Sequence, residues 1–74
     1  MSDYHINIFF SRDDGGYIAD IPDLEFCSAF GATPAEALEE VQRAKKLWLK
    51  SARQQGKRIP TPRYSPAIYQ VPRR

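Results

Sequence analysis

The sequence predicts an α+β fold, in the order β-β-β-α-β, with a three-stranded antiparallel sheet covered by one long helix. Apolar side chains alternate along Tyr4 to Phe10, as they do on a half-buried strand. An Asp-Gly-Gly turn at 14–16 separates this run from a second alternating run. After Gly31, apolar residues recur with the 3.6-residue period of a helix.

Three strands are predicted before the helix. The first covers residues 4–10, and its even-numbered side chains, which are apolar or aromatic, share one face. The second runs from Tyr17 to Ile21 and ends at Pro22, because proline has no N–H to donate to a neighbouring strand. The third covers residues 26–30, with Phe26 and Phe30 on one face.

The predicted helix has clear signals at both ends. Thr33 fits the N-cap, Pro34 the first helical position, and Glu36 the reciprocal partner of a capping box. The helix is expected to end near Gln55, with Gly56 in the left-handed position that follows. Its predicted apolar stripe is Ala37, Leu38, Val41, Ala44, Trp48, Leu49 and Ala52.

The predicted helix is longer than the sheet. About 22 helical residues span about 33 Å, whereas strands of about five to seven residues span roughly 17–24 Å. The last turns, around Trp48 and Ala52, therefore need another cover, and we expect the C-terminal segment or a second subunit to supply it. Lys45, at the edge of the stripe, is expected to extend along its stem to water.

The length of 74 residues predicts a single domain, with sheet and helix in 4–55 and a proline-rich basic segment in 56–74. Four prolines after residue 59 exclude a central strand there but leave room for a short fourth edge strand around 67–69.

A chain this short buries only about 60% of its unfolded surface. Cys27 is the only cysteine, so no disulfide supplements the core, and we expect a homo-oligomer, dimer or tetramer, or a protein partner.

Charge is distributed unevenly along the chain. Residues 1–40 hold nine carboxylates and one cation, for a sum of −8, whereas residues 41–74 hold ten cations and no carboxylate, for +10. Such a molecule can stack on itself or present its acidic side to a basic partner. The lone cysteine, the lack of a signal peptide and the short apolar runs predict a cytoplasmic protein without membrane attachment.

The sequence predicts no catalytic, cofactor-binding or metal-binding residues. His5 is the only histidine, and Cys27 lies in a predicted strand, so a nucleophile with an adjacent base is not expected. The acidic residues around the second strand are interpreted as turn formers and solvated strand ends: Asp13, Asp14, Asp20, Asp23 and Glu25. A metal-dependent hydrolase that uses Asp20 and Asp23 is the least favoured alternative.

Several segments together resemble the N-terminal domain of the HicB family, the antitoxins of type II toxin–antitoxin pairs. They are the turn Asp14–Tyr17, the strand end Ala19–Leu24, Gly31, Thr33–Pro34 and Glu36–Leu38, followed by a helix that carries a tryptophan. The resemblance covers about residues 4–55. It implies a partial ribonuclease-H-like fold without a catalytic role. It also implies a HicA-like toxin as partner, a small RNA-cleaving protein with a double-stranded-RNA-binding-like fold, whose catalytic surface the antitoxin masks.

An RNA-binding toxin must be basic, so an acidic antitoxin face would suit it. Charge and position at a strand end select Asp20, Asp23 and Glu25 as the predicted partner-binding residues. Many family members carry a further DNA-binding domain that represses their own operon, but the 19 residues after the helix cannot form a helix-turn-helix, so the resemblance does not extend to autorepression.

Nucleic-acid binding is the alternative function that the sequence leaves open. The cations beyond the predicted helix could bind phosphates directly, and they are Lys57, Arg58, Arg63, Arg73 and Arg74. Binding through this basic segment would weaken steeply with salt.

Overall fold

The computed structural model describes residues 3–64. Its elements are β1 (Asn7–Ser11), β2 (Gly16–Asp20), β3 (Ser28–Gly31) and α1 (Pro34–Gln54). The strands form one antiparallel sheet in the order β1-β2-β3, and α1 packs mainly over β3 and β2. The predicted α+β architecture is confirmed as β-β-β-α, whereas the fourth strand predicted around 67–69 lies outside the described residues.

The β1–β2 hairpin forms around the predicted turn. The Ser11 hydroxyl donates to Asp14 Oδ2 at 2.7 Å, and the Gly15 N–H, at a φ of +69°, donates to the Ser11 carbonyl at 2.9 Å. β1 begins at Asn7, not at Tyr4 as predicted, and pairs Asn7 with Asp20. The same register would place residue 5 opposite Pro22, which cannot donate a ladder hydrogen bond, so the paired strand starts later.

The connection between β2 and β3 folds into the core. The Leu24 N–H donates to the Ile21 carbonyl at 3.0 Å, and the Cys27 N–H donates to the Leu24 carbonyl at 3.1 Å. The Ile21 N–H closes the loop by donating to the Cys27 carbonyl at 2.9 Å. These three side chains are buried beneath α1, so Cys27 is a core residue that precedes β3 and not a strand residue.

The prediction for the third strand was wrong in where the strand begins and in which side chains face the core. β3 starts at Ser28, and Phe26 lies outside it with a φ of +59° and 95% of its surface exposed. Phe30 pairs with Ile18 across the sheet, and Ile18 alternates with the buried Ala19, so Phe30 lies on the face away from α1. The two phenylalanines therefore do not share a core face.

The core lies between α1 and the inner sheet face. Its buried members are Ala19, Ile21, Leu24, Cys27, Ala37 and Val41. The predicted helix stripe is confirmed at Ala37, Val41 and Ala52, which are buried, and at Trp48, which packs against the core. Leu38 is the exception, with 37% of its surface exposed, because it lies about 100° around the helix axis from the buried Ala37.

Both predicted caps of α1 are confirmed. Thr33 Oγ1 accepts the Glu36 N–H at 3.1 Å, and Glu36 Oε1 accepts the Ala32 N–H at 3.0 Å, one residue before the partner expected in a capping box. At the other end, Gly56 has a φ of +72°. The Lys57 N–H donates to the Ala52 carbonyl at 2.8 Å, as in a Schellman motif.

Residues that flank the sheet cover the last turns of α1. The Trp48 indole N–H donates to the Glu25 carbonyl at 2.9 Å, which fastens α1 to the β2–β3 connection. After α1 the chain turns back, and the Tyr4 hydroxyl donates to the Pro60 carbonyl. The described part of the C-terminal segment therefore contacts the start of the chain, and Lys57, Arg58 and Pro60 border a depression together with Trp48 of α1.

Lys45 does not simply extend to water. Its Nζ lies 2.9 Å from Asp3 Oδ1, and only 16% of its side chain is exposed. The hydrogen bond from the Lys45 ammonium holds the pKa of the Asp3 carboxyl below its ordinary value. Because Asp3 itself is well exposed, water screens this pair strongly, and it mainly orients the start of the chain.

Candidate partner-binding surface

The three predicted partner-binding carboxylates lie at the end of β2 and in the connection that follows. Asp20 ends β2, where the register places it on the face away from α1, between Asn7 and Ser28. Glu25 is exposed, and together with Asp20 it borders a shallow depression beside Phe26. The structure therefore brings Asp20 and Glu25 to one region of the surface.

Asp23 has a different environment. Its carboxylate accepts the backbone N–H groups of Arg63 and Tyr64, each at 3.1 Å. A neighbouring depression places it with Arg58 and Pro60. Asp23 thus holds the segment after α1 against the β2–β3 connection, and its oxygens already have partners within the chain.

The open face of the sheet carries a row of apolar side chains. Phe9, Ile18 and Phe30 stand opposite one another on adjacent strands, and both phenylalanines are about half exposed. A Cβ at Gly16 would lie 2.5 Å from the Phe30 ring, so this ring crosses directly over the glycine. Asp20 lies two residues after Ile18 on the same face, so the open face combines an apolar centre with an acidic margin.

A groove lies on another side of the molecule, between the β2–β3 connection and the C-terminal half of α1. It encloses about 370 Å³, and we call it the Phe26–Leu47 groove after its two most exposed apolar residues. Leu47 is 64% exposed. The groove is lined by Phe26, Cys27, Ala44, Leu47, Trp48, Ser51, Ala52, Gln55 and Lys57.

Sequence reasoning missed Phe26 because it assigned the residue to a strand. The signal that could have located it is the spacing of Ile21, Leu24 and Cys27, three apolar residues separated by three positions each. A spacing of three is not that of a strand, and it leaves Phe26 on the outside of the turns.

His5 and Cys27 make ordinary structural contacts. His5 Nε2 lies 2.7 Å from Asn7 Oδ1, and the His5 ring lies 4.9 Å from the Tyr64 ring. Burial raises the pKa of the Cys27 thiol. Within residues 3–64, no three His, Cys, Asp or Glu side chains are grouped so that they could hold a metal ion.

The basic segment is described only in part. Lys57, Arg58 and Arg63 are exposed, whereas Arg73 and Arg74 lie outside the described residues.

The helix in the described part of the chain lacks the combination of length and hydropathy that a bilayer crossing needs.

Fold and surface define a small α+β domain whose described residues offer exposed apolar and acidic patches. The chain is similar to UPF0150 protein ssl0259 of Synechocystis sp. (strain ATCC 27184 / PCC 6803 / Kazusa), at 42% identity over 48 residues. This match covers 65% of the chain and 66% of the relative. The chain therefore spans just under two thirds of the length of that relative. No family model matches the chain, and no solved structure matches it.

Proposed function

We propose that the chain is a HicB-like antitoxin that binds a small HicA-like ribonuclease toxin and neutralises it by masking its active surface. The observation that carries the proposal is the UPF0150 relative, because UPF0150 is a designation of HicB-like proteins. The hairpin turn, the strand end and the capped helix support the same family. On this proposal the chain is a cytoplasmic binding protein, without catalysis, metal or cofactor.

The open sheet face is the surface that suits such a toxin best. Its centre is the exposed apolar row that includes Phe9 and Phe30, and Asp20 lies at its margin. An apolar centre with a charged rim is the usual anatomy of a protein interface. A ribonuclease that binds RNA carries a basic surface, so Asp20 would attract it and orient it. Glu25 lies close enough to Asp20 to extend this acidic margin.

The proposal predicts a short reading frame for a basic protein next to the gene, and the test uses the product of that frame. We expect it to co-purify with the chain and to lose its RNA-cleaving activity in the complex. Asp20→Lys reverses the charge at the margin of the face, so we expect it to weaken binding at least about tenfold. Asp13→Lys, at the hairpin turn, makes the same charge change elsewhere and serves as the matched control.

Two outcomes would count against this function. One is the absence of a complex at micromolar concentrations of both proteins. The other is a complex in which the toxin still cleaves RNA at its full rate, because masking of the active surface is the core of the proposal.

A second candidate is nucleic-acid binding through the basic segment, which the exposure of Lys57, Arg58 and Arg63 favours. It predicts that fluorescence anisotropy with labelled single-stranded RNA detects binding that weakens steeply between about 50 and 200 mM salt. Replacing the three cations with alanine would then abolish binding. Salt-independent binding, or none, argues against this candidate and leaves the antitoxin proposal unaffected.

A further inference from the structure

Two large apolar side chains face the same groove and are exposed to an unusual degree. Phe26 is 95% exposed and Leu47 is 64% exposed, on opposite sides of the Phe26–Leu47 groove. Phe26 also has a φ of +59°, a backbone conformation that bulky residues rarely adopt. An exposed aromatic ring held in a strained conformation is unfavourable in an isolated domain, which points to a contact that covers it.

Charges of opposite sign flank this groove. On the side of Phe26, the adjacent Glu25 is exposed and Asp20 lies nearby. On the side of Leu47, the exposed Lys50 stands three residues further along α1, since residues three or four apart are neighbours on a helix, whereas Arg43 is already paired with Glu40 at 3.1 Å. Glu25 therefore flanks the groove on the side of Phe26, and Lys50 flanks it on the side of Leu47.

We propose that the Phe26–Leu47 groove is the contact surface between two copies of this chain, related by a two-fold axis through the groove. The axis places Phe26 of one copy against Leu47 of the other copy, and it repeats this contact with the two copies exchanged. It also places the Glu25 side of each copy against the Lys50 side of the other. A two-fold contact requires a self-complementary patch, and this arrangement of charge and apolar surface meets that requirement.

The charge pattern favours a second copy over other occupants. A strongly basic protein would be repelled by Lys50 and Lys57, and a nucleic acid would be repelled by Glu25. A second copy pairs both signs and buries the apolar centre. It also extends the small core of a 74-residue chain, which gains most from association. This contact uses Glu25 but leaves the apolar row of the open sheet face free, and it does not depend on the toxin.

The first test is the mass of the full chain in solution, measured by sedimentation equilibrium. We expect twice 8.5 kDa, or about 17 kDa, for the native chain. Phe26→Gly removes the ring and places at this position the residue best suited to its φ, so the monomer keeps its fold. We expect the dimer dissociation constant to rise at least about tenfold. Leu47→Ser is expected to act similarly, whereas Leu38→Ser, on the other flank of α1, is the control.

The second test exchanges charges. Glu25→Lys alone and Lys50→Glu alone each bring like charges together in a two-fold dimer, so each variant is expected to be largely monomeric. Mixed in equal amounts, the two variants form a heterodimer in which both pairs are again of opposite sign, and the mass returns to that of a dimer. Arg12→Glu, at an exposed residue of the β1–β2 turn that does not line the groove, controls for a change of net charge.

Three results would overturn the proposal. The native chain could remain a monomer at several hundred micromolar. It could form a dimer that neither Phe26→Gly nor the charge exchange affects, which would place the contact elsewhere. Lastly, Phe26→Gly could lower the melting temperature of a monomer without changing association, which would mean that other residues of the same chain cover the ring.

Discussion

Cys27 illustrates what a single side chain does in this domain. It is 4% exposed in the core beneath α1, and burial raises the pKa of its thiol, although the positive charge of Lys45 acts weakly in the opposite direction. The thiolate is the reactive form of cysteine, so both the raised pKa and the lack of access make this residue unreactive. Its role is to fill space in the core.

We therefore predict that iodoacetamide at pH 8 modifies Cys27 at least about tenfold more slowly in the native chain than in urea. Mass spectrometry over time measures the rate, and Cys27→Ala should show no modification because no other cysteine is present. Since the folded state keeps the thiol protonated, stability should also fall as the pH rises above about 9, the ordinary thiol pKa. Equal rates in both conditions would contradict the burial of this residue.

At the scale of elements, α1 is the part of the fold that local chemistry specifies most completely. Thr33 and Glu36 satisfy two backbone N–H groups at its start, and Gly56 permits the Schellman motif at its end. Helix and sheet approach closely at one point, where a Cβ on Gly31 would lie 2.2 Å from the Ala37 nitrogen. The cap therefore forms beside a point where the helix and the sheet are in close contact.

Thr33→Ala should lower the free energy of unfolding by about 1 kcal/mol, because the Glu36 N–H loses its acceptor. Urea denaturation followed by circular dichroism measures the change. Thr61→Ala makes the same substitution in the exposed segment after α1 and should change the stability by less than about 0.5 kcal/mol. Equal losses in the two variants would argue against a cap at Thr33.

The strands show how far local patterns extend. The hairpin turn and the inward direction of Ala19 follow from alternation and from the Asp-Gly-Gly sequence. Alternation also suggested a longer third strand, because it cannot distinguish a strand from successive turns that bury Ile21, Leu24 and Cys27. Because the chain forms turns here and not a strand, Phe26 lies on the surface and lines the groove, whereas the prediction placed it in the core.

At the scale of the whole molecule, contacts between distant segments hold the ends of the described chain to the sheet. Asp23 accepts the N–H groups of Arg63 and Tyr64, and the Tyr4 hydroxyl reaches the Pro60 carbonyl. The segment after α1 is thereby drawn back toward the start of β1. Asp23 was predicted as a partner-binding residue, and this structural role means that its replacement would test folding as well as binding.

Asp23→Ala should lower the free energy of unfolding by about 1 kcal/mol, because two backbone donors lose a charged acceptor at a partly exposed site. We also expect trypsin to cleave after Arg58 and Arg63 several-fold faster, since release of this segment exposes its backbone. Limited proteolysis with mass spectrometry measures the rates, with Asp13→Ala as the control. Unchanged cleavage would mean that other contacts hold the segment.

The amino-acid sequence alone determined the fold class, the hairpin turn, both ends of α1 and most of its buried stripe. These features depend on residues within a few positions of one another, where backbone preference and side-chain period act directly. Tertiary structure decided that Phe26 is exposed, that Phe30 lies on the open face, and that Asp23 binds a segment 40 residues away. Those outcomes depend on which distant segments compete for the same core and the same hydrogen-bond acceptors, and no local pattern records that competition.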